Sequence, residues 1–163
     1  LAVDWRVAWD AERLYVLAEV SDDQIVTSGG EVWDNDAVEF FWDSRPIAER
    51  NGKRGPQTGQ VILGIPAEGV AVSPIWEMGK QPKPQGLQAA IRRRPGGYVC
   101  ELSLPFSELG LVSPPKPGDP IHLELQVDDR DLVDGRPQIK HQCISGEPGN
   151  YQYTARYARC TLR

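Results

Sequence analysis

The chain has 163 residues, 40% hydrophobic and 25% charged, a composition that fits one folded domain with a full apolar core and excludes a disordered polymer. A net charge of −5 and a pI near 5.1 speak against a nucleic-acid partner, because phosphate recognition needs a basic face. No apolar run reaches the roughly 18–20 residues that cross a bilayer, so no membrane partner is expected.

The chain opens at Leu1 without an initiator Met or a basic-then-apolar leader, which reads as a piece of a longer protein whose residues 1–163 form one domain. Period-2 alternation then dominates. VDWRVAW and LYVLAEV flank the turn-like DAER and read as a hairpin. In DAVEFFWD, Val38, Phe40 and Trp42 alternate with Ala37, Glu39 and Phe41, so both faces are expected to be buried. A loop rich in Gly, Pro and Arg, residues 44–58, leads to QVILGI. VAVSPIW follows, with Pro74 marking an edge or a bulge. LQAAIRR, YVCELSLPF, IHLELQVDD, IKHQCIS and YARCTL complete the series, punctuated by Pro-Gly and Gly-Gly pairs. Only FSELGL, after Pro105, predicts a helical turn, near Ser107–Leu111. About ten short strands without a βαβ pattern predict an all-β, antiparallel sandwich or jelly roll.

Individual residues follow from their phase. Cys100 alternates with Leu102 and Leu104 and reads as a buried thiol; Cys143 and Cys160 lie on the last two strand-like runs, close enough in pattern to pair or to stay free. Arg92, Arg93 and Arg94 read as a solvated edge, and His122 as a surface or rim residue. The acidic stretch VDDRDLVDG, with Asp129, Asp131, Asp134 and Gly135, departs from the spacing of a helix–loop–helix calcium site and reads as a solvated loop.

Nothing in the chain announces catalysis. There is no GxSxG elbow, HExxH pair or P-loop, and no pair of carboxylates stands out as a glycosidase dyad. The informative segment is EVWDNDAVEFFWD. Trp33 sits among Glu31, Asp34, Asn35 and Asp36, a setting that suits an exposed indole more than a core one. Such a ring offers a flat apolar face to the C–H face of a pyranose. Glu39 shares a strand face with Ala37 and Phe41 and can accept hydrogen bonds from sugar hydroxyls.

These blocks, in this order, resemble the family 9 carbohydrate-binding modules: W-D-x-x-x-L-Y-V in VAWDAERLYV, W-x-x-D-x-V-E-x-F-x-D from Trp33 to Asp43, G-Y-x-x-E in GYVCE, and the Q-V-x-D run in LELQVDD. The resemblance covers about residues 6–163. It implies a non-catalytic jelly roll that grips a sugar or glycan chain end between two aromatic side chains. It also implies tethering to a secreted, glycan-degrading catalytic domain, in an extracellular or periplasmic setting. It assigns Trp33 as the first aromatic, Glu39 as the acid, Tyr151 as the second aromatic, and Asn150, Gln152 and Gln142 as polar neighbours. It implies no cofactor beyond a structural calcium ion. The family's strand arginine is replaced at or near Ile62, leaving Arg45, Arg50 or Arg54 to stand in. The family's N-terminal D-G-x-x-D-x-x-W segment is missing. Two alternatives share the fold: a haem domain, with Met78 and His141 or Lys140 as axial ligands, and a ligand-free structural sandwich.

Overall fold

The computed structural model describes the chain except residues 56, 66–69, 72–74, 77–84, 112 and 147–148, and only the backbone at 70, 71, 75 and 76. The described strands are β1 (Ala2–Trp9), β2 (Arg13–Ser21), β3 (Ala37–Asp43), β4 (Thr58–Gly64), β5 (Val70–Ala71), β6 (Ile75–Trp76), β7 (Gln88–Arg94), β8 (Gly97–Pro105), β9 (Pro120–Val133), β10 (Arg136–Cys143) and β11 (Ala158–Thr161). They form two antiparallel sheets, in the orders β1-β2-β8-β7-β5 and β10-β9-β3-β4-β6, with β11 paired to the start of β9. Among the described residues, helix is confined to single 3-10 turns at Val32–Asp34 and Ile47–Glu49. The expected turn after Pro105 is there as successive i→i+3 hydrogen bonds onto Pro105, Phe106 and Ser107. No helix among the described residues is long and apolar enough to cross a membrane.

Alternation builds the sandwich. Leu14, Val16, Ala18 and Val20 of β2 face Val38, Phe40 and Trp42 of β3 across the core, because successive strand residues point to opposite sides. Trp42 fills the space above Gly59 on the neighbouring strand. A Cβ at Gly59 would lie 1.9 Å from the indole, so a glycine is required at that position.

The predicted hairpin of β1 and β2 is present in register Trp9↔Leu14. VAVSPIW, expected as one strand, instead places β5 in the first sheet and β6 in the second; Pro74 lies outside the described residues. The acidic stretch is not a loop. Asp128 to Val133 belong to β9, and Asp134-Gly135, both at positive φ, turn the chain into β10 as a tight hairpin. His122 is buried, contrary to its reading as a rim residue, because β9 is paired on both sides there, to Asp43 and to Arg159. Arg92 and Arg94 are exposed as expected, but Arg93 is half-buried and β7 is bordered by β5 rather than bare. Cys100 is buried and free, and Cys143 and Cys160 are free thiols.

Candidate functional site

β3 carries the site because it is buried on both faces along its whole length. One face feeds the core. The other, with Ala37, Glu39, Phe41 and Asp43, looks away from it. Register brings Asp128, Gln126, Glu124 and His122 of β9 opposite those four residues in turn. On the other side stand Gly64, Ile62, Gln60 and Thr58 of β4. β10 extends the face with His141 beside Asp128 and Cys143 beside Gln126. Glu39, Gln60, Glu124, Gln126 and Asp128 are all buried, so this outward face is roofed rather than bathed in solvent.

The roof is made of two loops. The loop after β3 is pinned by Asp43, whose carboxylate accepts from Arg45 Nε and Nη2 at 2.9 and 2.7 Å and from Arg50 Nε at 3.2 Å. Burial would raise the Asp43 pKa, but Arg45 and Thr154 hold it down at about 2. Arg50 also donates to the Thr154 carbonyl, 2.9 Å, and Thr154 N–H to the Gly52 carbonyl, 3.0 Å. The loop before β11 is thereby bound to the loop after β3. Tyr157 packs on Phe41 with ring centroids 5.9 Å apart and donates to the Asn150 carbonyl, 2.9 Å.

Hydrogen bonds link the buried polar groups into one network. Gln60 Nε2 donates to Glu39 Oε2, and the Glu39 carboxyl hydrogen-bonds to Asp128. Asp128 Oδ1 accepts from Gln126 Nε2 at 2.8 Å and lies 2.6 Å from His141 Nδ1. Burial first, then the Asp128 charge, pushes Glu39 well above the usual carboxylate range, while Asp128 raises the His141 pKa. A proton on Glu39 fits the geometry, since two ionised carboxylates do not share one hydrogen bond.

The residues read from the sequence divide by position. Glu39 is at the centre of the network. Asn150 is fully buried, with both side-chain polar atoms lacking a hydrogen-bond partner, and its amide lies close enough to Cys143 to influence the thiol. An unpaired buried amide is costly and asks for a partner. Trp33 is half-buried in the 3-10 turn before β3. Asp36 anchors that turn by accepting from Val26 N–H and from Arg130 N–H, 2.7 Å. Gln142 is exposed and pairs with Val127, a core residue, so it lies on the face opposite Glu39. Gln152 and Tyr151 are exposed in the same turn as Asn150. Cross-strand register places Gln126 opposite Glu39, His141 opposite Asp128 and Cys143 opposite Gln126, none of which the sequence reading put beside Glu39; Tyr153 is 52% exposed. Tyr153 N–H closes an α-turn onto the Gly149 carbonyl, 3.2 Å. Residues three apart in a helical turn share a side, and Asn150 and Tyr153 have that spacing in this turn. Met78 lies outside the described residues.

A groove of about 410 Å³ along β10, bordered by His141, Cys143, Lys140 and Asp129, flanks the network. A larger one of about 600 Å³ crosses the first sheet over Ala8, Tyr15 and Ala90, without a comparable set of buried polar side chains. A third cluster joins the sheets at one end. Asp22, just past β2, meets Asp129 and Asp131 of β9, with ligand-capable oxygens all within 4.8 Å of one another. Asp22 is 6% exposed and its Oδ2 has no hydrogen-bond partner. Burial and the neighbouring acids raise the pKa values of Asp22 and Asp129.

The profile of the family described as "Carbohydrate family 9 binding domain-like" matches residues 1–163. The chain belongs to this family. Its members are binding domains without a catalytic role of their own. An exoglucanase, XynX, of Acetivibrio thermocellus is 26% identical over 138 residues, covering 85% of this chain and 12% of the relative. Endo-1,4-beta-xylanase A of Thermotoga neapolitana is 30% identical over 127 residues, 76% of this chain and 10% of the relative. The chain thus spans about a tenth of the length of these enzymes. Among solved structures, a family 9 carbohydrate-binding module from Caldicellulosiruptor kristjanssonii in complex with glucose has a TM-score of 0.80 at 20% identity. The alignment covers 99% of this chain and 76% of that one, and the same module with cellotriose matches equally well. The fold expected from the sequence is therefore found.

Proposed function

We propose that this family 9 domain holds a neutral sugar or glycan chain end over the outward face of β3, between Trp33 and a tyrosine of the 149–153 turn. The observation that carries the reading is Asn150: a fully buried amide without a partner, beside a network of buried acids and amides centred on Glu39. Sugar hydroxyls both donate and accept, so they can complete such groups where an apolar ligand cannot. The rings would supply the apolar contact to pyranose C–H groups, and Glu39, Gln126 and Asn150 the orientation. Turn spacing favours Tyr153 over Tyr151 as the second ring. Gln152, exposed beside it, is suited to the rim, and Gln142 to none of these roles.

The known ligands of the similar modules from C. kristjanssonii, glucose and cellotriose, support the same ligand class here. The similar enzymes support a place for the domain as a tethered accessory to a glycan-degrading catalytic domain outside the cytoplasm. Asp22, Asp129 and Asp131 would hold a divalent cation such as calcium, for which an all-oxygen, carboxylate-rich set is appropriate. The test of function is isothermal titration with glucose, cellobiose and xylobiose. Saturable one-to-one binding is expected, weakened by Tyr153→Ala more than by Tyr151→Ala. The reverse order would move the second ring to Tyr151, and no binding to any of the three sugars would count against the reading.

A further inference from the structure

We propose that Arg54 is a positioning residue of this site: from the loop ahead of β4 it fixes the Gln60 amide, and through it the Glu39 carboxyl, in one orientation toward the bound ring. The inference rests on the reading of the β3 face as a sugar-binding surface.

Three arginines come from the loop after β3, and the structure separates their tasks. Arg45 and Arg50 are both committed to Asp43. Arg54 makes no ion pair among the described residues. Its Nη1 instead donates to Gln60 Oε1 at 2.8 Å and to the Tyr151 carbonyl at 3.3 Å. It therefore touches both the floor of the site and the turn that carries the tyrosines.

The Gln60 side chain is 1% exposed, and an amide group has nearly the same shape with its oxygen and nitrogen exchanged. Beside a protonated Glu39, either orientation of that amide would find a partner: nitrogen donating to the acid, or oxygen accepting from it. The guanidinium removes the choice. It can only donate, so it claims Oε1 and leaves Nε2 for Glu39 Oε2. The acid's proton is then directed to Asp128, which also faces His141 and Gln126. Every bond from Arg54 inward runs donor to acceptor in one sense, ending on Asp128. Loss of Arg54 would leave two arrangements of the floor, of which a given sugar hydroxyl pattern fits one.

Besides Arg54, the ionisable groups facing Glu39 are Asp128 on β9, with His141 on its far side, Cys143 on β10, and Tyr157 from the loop before β11. The Arg54 charge favours ionisation of Glu39, so removing it should hold the proton on Glu39 to higher pH. Arg54→Gln, Arg54→Lys, Gln60→Ala and the double variant Arg54→Gln/Gln60→Ala are to be titrated with cellobiose and xylobiose across pH 6–10. Arg54→Gln should weaken binding roughly tenfold, with a thermal midpoint close to that of the wild type. The alkaline break in its binding profile should move up, and Arg54→Lys should recover part of the affinity. Because Arg54 acts through Gln60, the double variant should bind no worse than Gln60→Ala. Wild-type affinity and an unmoved break in Arg54→Gln would overturn the role of Arg54 alone, as would additive losses in the double variant. A wild type that binds neither sugar would overturn the functional reading, and the role of Arg54 with it.

Discussion

Glu39 shows how one residue acquires its chemistry from its strand neighbours. A carboxylate alone on a strand face would ionise at ordinary pH. Here burial and Asp128 keep the proton on it. Its folded pKa lies above the unfolded one, so the folded chain binds the extra proton, and the stability this confers is present at low pH and lost as pH rises past the unfolded value. Gln at that position mimics the protonated acid and does not titrate. The thermal midpoint of Glu39→Gln relative to wild type should therefore rise steadily from pH 4.5 toward pH 9, read by calorimetry; a pH-independent difference would show that Glu39 is ionised in the fold. At this scale the sequence was legible where period 2 was clean: the face shared by Glu39, Ala37 and Phe41 is as read. It was not legible where partners come from distant strands. Gln126 carries no local signal of facing Glu39, nor His141 of facing Asp128. The α-turn of residues 149–153 is invisible in the string GNYQY, so the sequence alone does not order Tyr151 and Tyr153 as the proposed second ring.

The elements that make the site a cleft are the two loops joined through Asp43. Its pKa is lowered from 3.8 to about 2, so the stabilisation is complete above about pH 5 and lost as pH falls from about 4 to about 2, on the order of 2 kcal/mol in total. Asp43→Asn should remove that acid limb from the stability profile. It should also cost on the order of 3 kcal/mol at neutral pH, because two guanidiniums lose their buried partner. An unchanged acid limb in the variant, measured by urea unfolding at pH 2–5, would assign it to other carboxyls. Of the two loops, only the arginine-rich composition of 44–58 was readable. The ion pairs depend on where Arg45 and Arg50 turn back, which 3-10 geometry at Ile47–Glu49 decides. The β9–β10 hairpin could have been read from Asp134-Gly135, a strong two-residue turn signal, but the density of acids around it suggested a loop instead.

At the scale of the whole molecule, alternation and Gly/Pro punctuation were sufficient for the sandwich, because a half-buried sheet imposes period 2 on every strand. What alternation does not encode is which strand ends meet between the sheets. Asp22 follows β2 of the first sheet, and Asp129 and Asp131 belong to β9 of the second, so a cation there would tie the sheets together. Millimolar calcium should raise the thermal midpoint, a chelator should reverse the rise, and Asp22→Asn should abolish it. A midpoint indifferent to calcium in the wild type would leave the three acids as a repulsive cluster only. Sugar binding by this domain requires the outward face of β3, with Trp33 beside it, to be a platform rather than a structural end-cap. Titration of cellobiose into wild type and Trp33→Ala, each with its thermal midpoint, tests this most directly. Stacking of the order of 1–3 kcal/mol requires binding to weaken roughly tenfold or more in the variant while the midpoint barely moves. Equal affinity in the two proteins, or a variant that loses binding only because it unfolds, would contradict it.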